Sequence, residues 1–141
     1  MTTPHALTPQ EVDDFVAASY PATTRQGFRC DAIGEGFATV RWRHDPEQLR
    51  PGGFISGPTQ FAAADLALWF LSFTLLGLAP MAVTSDLHIV FLRPARGGDL
   101  LARAELLRAG KSRISGRVVA WVDGAQHRPV SHATGAYALL A

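Results

Sequence analysis

The spacing of apolar residues changes period along the chain, and each change marks an element. Thr8-Pro9-Gln10-Glu11 reads as a helix start: threonine caps, proline suits the first turn and Glu11 completes a capping box. Val12, Phe15 and Val16 then form one stripe before Pro21, so residues 1–21 predict an amphipathic helix lying on the fold. From Phe28 the period falls to two. Phe28 to Ile33 and Phe37 to Arg43 flank Gly34-Glu35-Gly36 as a hairpin, with Ala38, Val40 and Trp42 on one face. His44 to Phe54 is a polar loop rich in proline and glycine. Gly57-Pro58 then suits a helix start, with proline in the first turn and the small residue before it as cap. This helix is apolar on nearly every side, and from Phe61 to Leu76 its one charged side chain is Asp65. After Gly77-Leu78-Ala79-Pro80 the period of two returns. Ala82 to Leu92 sets Val83, Ser85, Leu87, Ile89 and Phe91 against Thr84, Asp86, His88, Val90 and Leu92. Leu100 to Arg108, Arg113 to Val122 and His127 to Leu140 are three further strands, separated by turns at Ala109-Gly110-Lys111-Ser112 and Asp123-Gly124.

The order is therefore helix, two strands, long apolar helix, four strands. Short turns favour antiparallel pairing, and strands on both sides of one apolar helix predict an α+β fold with a sheet curled around it. The competing account of that helix is a membrane span, since Leu66 to Val83 is uncharged. Asp65 at one end, Gly77 and Pro80 at the other, and the dilution by Ala67, Ser72 and Thr74 favour a buried core helix. The 141 residues fit one domain, spanning 1–141, with one substantial core.

Composition narrows the function. With 48% apolar and 18% charged residues the chain is globular, and its net charge of +1 gives no general attraction to nucleic acid or anionic lipid. The single cysteine, Cys30, rules out an internal disulfide or cysteine metal cluster and reads as a small half-buried hydrophobe. The five histidines (His5, His44, His88, His127, His132) show no metal-ligand spacing, so no metal site is expected. Met1-Thr2-Thr3-Pro4-His5 has no secretory character, and a cytoplasmic protein is the expectation. Gly53-Phe54-Ile55-Ser56-Gly57 approaches a nucleophile elbow, but no strand clearly precedes it, which argues against Ser56 as a covalent nucleophile.

Asp65 is the candidate reactive group, because an ionisable side chain in an apolar helix is costly unless partnered. The bland alternative is a structural carboxylate satisfied by a hydroxyl or backbone group. Phe54, Phe61, Trp69 and Phe73 are candidates for a pocket lining or for plain core. Arg93, Arg96, Arg108, Lys111 and Arg113 fall in or beside strand-end turns, where they form either a phosphate site or a solvated basic rim.

This element order, together with Arg50 to Asp65, resembles the hotdog-fold acyl-CoA thioesterases of the PaaI-like (phenylacetyl-CoA thioesterase-like) group. Ser56-Gly57-Pro58 stands at the family's His-Gly-Gly, and Asp65 follows Pro58 by the seven residues that separate the family's second glycine from its acidic residue. Ala82 to Leu87, Phe91 to Ala95, Gly98-Asp99-Leu100 and Gly110-Lys111 extend the likeness over roughly Phe28 to Leu140. The resemblance implies a homodimer or dimer of dimers with the active site between protomers. Asp65 carries over as general base or nucleophile, Gly57 as the backbone donor to the thioester oxygen, and Thr84 as a hydroxyl near the catalytic water. Arg50 stands at the family's polar amide, and Ser56 and Pro58 replace its histidine and second glycine. By position in the family Lys111, Ser112 and Arg113 are the leading substrate contacts, and Arg93, Pro94, Phe54 and Phe61 are further candidates for substrate binding. No cofactor is implied, since coenzyme A belongs to the acyl-CoA substrate. The chemistry is coherent with the residues: a helix N-terminus offers unpaired N–H groups to a developing oxyanion, and a carboxylate activates water or attacks. Two rivals remain. One is an acyl-CoA-binding protein that has lost catalysis. The other is a hotdog hydratase or dehydratase, disfavoured because no histidine lies on the helix.

Overall fold

The structure, a computed structural model, describes residues 6–140; the N-terminal stretch weighed above as a secretory signal, residues 1–5, lies outside the described residues. Thr8 caps helix α1 (Pro9–Ser19) through the expected capping box: Thr8 Oγ1 accepts from Glu11 N at 3.2 Å and Glu11 Oε1 accepts from Thr8 N at 3.1 Å. Pro21 does not end the helical region as expected. It opens a second short helix, α2 (Pro21–Arg25), because proline's fixed φ suits a first turn as well as it blocks a continuing one.

Strands β1 (Phe28–Gly34) and β2 (Phe37–Trp42) form the expected hairpin, with Ala38, Val40 and Trp42 fully buried. Cys30 is a buried free thiol, pushed up to about 12 by burial and then by the charges of Asp13 and Asp31, so it acts as a hydrophobe. The following segment, expected as plain loop, holds a 3₁₀ turn at Pro46–Gln48 and a two-residue hairpin of β3 (Leu49–Arg50) and β4 (Phe54–Ile55).

Helix α3 (Gly57–Leu76) follows. Its cap is Ser56 rather than Gly57, so Gly57 and Pro58 are both helical; Gly77, at φ 78°, ends it. The chain then forms β5 (Val83–Phe91), β6 (Leu100–Ala109), β7 (Arg113–Val122) and β8 (Ser131–Ala138). The last strand starts four residues later than expected because residues 123–130 are taken up by successive turns.

The six long strands make one antiparallel sheet in the order β1-β2-β6-β7-β8-β5, wrapped around α3. Gly116 and Gly135 let the helix press onto it: a Cβ at either position would lie within 3 Å of a Leu68 methyl. Phe70, Phe73, Leu68 and Leu71 project from α3 into the core with at most 1% exposure. The helix is long and apolar enough to cross a membrane, but 67% of its most apolar window is buried inside the fold, so it serves as the core helix.

One irregularity positions the site. The β5–β8 register slips between Thr84 and Asp86, a β-bulge. Strict alternation sets Thr84 on the face opposite Leu87 and Ile89. The extra residue instead turns Thr84 toward α3, the face on which Leu87 and Ile89 also pack.

Candidate active site

Two features lie at different points along α3. At its start, Ser56 Oγ accepts from Thr59 N at 3.1 Å and Ser56 O accepts from Gln60 N at 3.1 Å. Pro58 has no N–H. Of the first-turn amides, Gly57 N–H is therefore the one without an acceptor among the described residues. A Cβ at this position would lie 3.3 Å from the Phe91 ring, a tight fit that the ring would have to shift slightly to admit. Gly57 borders a pocket of about 690 Å³ that also brings together Arg50, Phe54, Gln60, Phe91, Arg93 and Pro94. Arg93 donates to the Pro129 carbonyl, and Arg96 lies over the Phe54 ring at 5.3 Å. No acidic side chain lines this pocket.

The second feature is Asp65, two turns further on. Its surroundings are more polar than the sequence implied: it is half-buried, and Oδ1 accepts from Thr84 Oγ1 at 2.6 Å and from Tyr137 Oη at 2.8 Å. Tyr137 also reaches the Asp65 carbonyl at 3.0 Å. Burial, and then the charge of Asp65, push the Tyr137 phenol well above its ordinary value, so it remains a donor across the physiological range. With Oδ1 held twice, no protein donor among the described residues reaches Oδ2. The arrangement fixes a carboxylate by one oxygen, and the residue borders a pocket of about 260 Å³. Tyr20, Leu66, Trp69, Thr84 and Tyr137 line that pocket with Asp65.

Tyr137 is the residue that sequence reasoning missed. Thr84 and Tyr137 are direct cross-strand partners on β5 and β8, so one pairing delivers both hydroxyls to the same oxygen. The remaining candidates lie elsewhere. Phe61 is 41% exposed and lines neither pocket. Lys111, Ser112 and Arg113 sit at the β6–β7 turn, where Arg113 donates to Ser85 Oγ at 2.8 Å. Ser56 is fully engaged as a cap. Among the described residues no cluster of three or more His, Cys, Asp or Glu side chains forms a metal site.

A six-stranded antiparallel sheet around one long apolar helix, with a carboxylate on that helix, defines a hotdog-fold protein. The chain belongs to the Thioesterase superfamily, whose model matches residues 52–126. It is similar in structure to a protein of Silicibacter sp. TM1040 provisionally described as a thioesterase, at 28% identity and a TM-score of 0.85 over 99% of this chain and 96% of that one. It also matches the Escherichia coli PaaI protein of the phenylacetic acid degradation operon, at 24% identity and a TM-score of 0.74 over 92% and 96% of the two chains. A Haemophilus influenzae thioesterase shares the fold at 18% identity and a TM-score of 0.85 over 99% and 95%. No curated protein matches the chain in sequence. The PaaI-like resemblance and the hotdog fold are thus borne out, and family membership supports thioesterase activity.

Proposed function

We propose that the protein hydrolyses an acyl- or aryl-CoA thioester, and that it does so as a dimer or dimer of dimers. The observation that carries this reading is the separation of the two features. Gly57 and Asp65 are eight residues apart on one helix, about 12 Å at about 1.5 Å per residue, too far to serve one carbonyl group. Both lie beside β5, an edge strand with no neighbour on its outer side among the described residues: Thr84 at one end holds Asp65, and Phe91 at the other packs on Gly57. Antiparallel pairing of β5 with a second copy about its midpoint, Leu87, sets Val83 opposite the partner's Phe91. That brings the partner's Gly57 toward Asp65 and completes two sites per dimer.

In such a site Gly57 N–H stabilises the oxygen of the tetrahedral intermediate, aided by the positive end of α3. Asp65 Oδ2 either takes a proton from the water that adds to the carbonyl carbon or adds to that carbon itself; in the second case water later cleaves the acyl–Asp65 anhydride left after the thiolate departs, releasing the carboxylic acid and restoring Asp65. The C–S bond then breaks, and the coenzyme A thiolate leaves and takes up a proton. Thr84 and Tyr137 hold Oδ1 so that Oδ2 stays aimed. Arg50 and Arg93 give the helix-start pocket the positive charge that suits a phosphate-bearing substrate.

A second reading, a binding protein without turnover, draws on one observation: the helix start offers a single free amide, because Pro58 has none and Ser56 occupies two. Thiol release from short-chain, long-chain and aromatic acyl-CoA esters separates the readings, with wild type beside Asp65→Asn. The expected result is turnover that falls at least about 1000-fold in the variant with its melting temperature unchanged. Tight ester binding with no thiol release by wild type would establish the second reading.

A further inference from the structure

We infer that Tyr20 is a specificity-determining residue: its ring closes the pocket beside Asp65 and limits the acyl group held there to a short chain or a single ring. The inference rests on the thioesterase reading above and adds to it the residue that sets the size of the substrate. A thioester whose carbonyl carbon meets Asp65 sends two arms away from that carbon, one to coenzyme A and one to the acyl group. The two pockets differ in the chemistry that sorts those arms. The helix-start pocket, which the second copy brings to Asp65, is the larger and carries Arg50 and Arg93, so it suits the phosphate-bearing arm. The pocket beside Asp65 has no basic side chain in its lining among the described residues. Leu66, Trp69, Ala82 and Val83 make up much of its wall, so it suits an apolar acyl group.

Among the described residues Tyr20 is the one member of that lining that precedes α3 in the chain. It stands at the junction of α1 and α2, with its ring edge-on to Trp69 and the centroids 6.3 Å apart. The backbone there is held on both sides: Tyr20 N donates to Val16 O at 2.7 Å, and Tyr20 O accepts from Thr23 Oγ1 at 3.0 Å. Val16 and Thr23 are both buried, so the junction is seated on the core. Tyr20 itself is 51% exposed. A half-exposed aromatic ring is by itself ordinary on a protein surface. This one stands between a pocket and solvent on an anchored backbone, which is what a fixed wall requires. Tyr20 also lies outside residues 52–126, so the wall comes from a segment that the family model does not include.

The space behind that wall is small. The pocket's 260 Å³ corresponds to about nine water volumes at about 30 Å³ each. It admits a short or branched chain or a single ring, and leaves no room for a long fatty chain or fused rings while Tyr20 stands where it does. Removing the ring opens the pocket at the α1–α2 junction, on the side where Tyr20 already meets solvent, so a longer acyl group can pass beyond Trp69. One methylene too many in a closed apolar pocket changes kcat/KM by about tenfold or more. A chain several carbons longer therefore reads the limit clearly.

The test measures kcat/KM for two pairs of CoA esters, butanoyl against decanoyl and benzoyl against 2-naphthoyl. Wild type is expected to prefer the smaller member of at least one pair by about 100-fold or more. In Tyr20→Ala, and in the milder truncation Tyr20→Leu, that preference is expected to fall about tenfold or more. Tyr20→Phe keeps the ring and is expected to keep the wild-type preference. A substitution that only loosened the fold would slow both members alike and leave the preference standing. Wild-type ratios near one in both pairs, ratios unchanged in the two truncations, or a Tyr20→Phe that relaxes them as far as Tyr20→Ala would each overturn the inference while leaving the thioesterase reading intact. If wild type hydrolyses none of the four esters, that reading fails, and the size limit is read instead from equilibrium binding of the butyl and decyl CoA thioethers. A decyl group that adds affinity in Tyr20→Ala and not in wild type then sustains the inference, and the same decyl-to-butyl ratio in both proteins overturns it.

Discussion

The two edges of the sheet are finished in opposite ways. At the β1 edge the chain closes itself: α1 packs against the strand, and Asp13 Oδ1 accepts from Cys30 N at 2.7 Å, beside the bulge between Cys30 and Ala32. Backbone that would otherwise face solvent is covered and bonded. At the β5 edge none of the described residues does this. The strand is nine residues long, and Val83, Val90 and Phe91 on it are each about half exposed, continuous with Met81 and Leu92. A long apolar edge invites another strand, and monomeric proteins blunt such edges with charge, proline or a covering element. The contrast teaches that openness here is local. The chain carries the means to seal an edge and uses it at one side only, the side away from Asp65 and Gly57. Damage at β1 should therefore register as lost stability, and damage at β5 as lost assembly and activity.

The largest expected effect comes from closing the open edge. Val83→Lys with Val90→Lys places lysines on the open edge, where natural sheets use them to block pairing. Sedimentation equilibrium should show half the wild-type mass. Thiol release should fall at least about 100-fold, while the circular dichroism spectrum stays that of a folded chain. A fully active monomer would show that one protomer holds a complete site and would break the contrast between the edges.

Next in size is the opposite experiment. Asp13→Ala removes the acceptor for Cys30 N in a buried strand, and an orphaned buried amide costs about 1–3 kcal/mol. Chemical denaturation should register that loss, with the mass and the turnover per folded molecule of wild type. If activity fell in proportion and stability did not, the β1 edge would be part of the catalytic assembly after all.

What could be read from the sequence follows the range of the interaction concerned. The capping box of α1, the β1–β2 hairpin and the strand pattern around α3 rest on residues close in sequence, and each appears where expected apart from the late start of β8. Asp65 stood out as the one charge in an apolar helix. The misses are non-local or too short to have a period. α2 and the β3–β4 hairpin are a five-residue helix and two-residue strands, below the length at which periodicity speaks. Tyr137 was not singled out in the sequence, and only the pairing of Thr84 with Tyr137 turns it onto Asp65. The bulge that brings Thr84 to the same oxygen is invisible to alternation, because alternation assumes it away. The notion of Asp65 in apolar surroundings failed for the same reason: its polar partners come from strands distant in sequence.

The smallest expected effect sharpens the account of the closed edge, because it separates the hydrogen bond at Asp13 from the charge that makes it. Burial raises the Asp13 carboxyl above its ordinary value, outweighing the opposing effects of the Cys30 amide and of Arg29. The native chain therefore holds this proton to higher pH than the unfolded chain does. Stability from this group is present below the unfolded pKa and is lost as pH rises through the raised native one. Asp13→Asn keeps an oxygen for Cys30 N and has no charge to desolvate. Its melting temperature should equal or slightly exceed that of wild type at pH 7, and this relative standing should decline as pH is lowered toward 4 and Asp13 of the wild type takes up its proton. An advantage for the asparagine variant that grew on acidification would mean that the native state prefers the charged carboxylate, and that α1 is held to the β1 edge by the charge of Asp13 as well as by its lone pair.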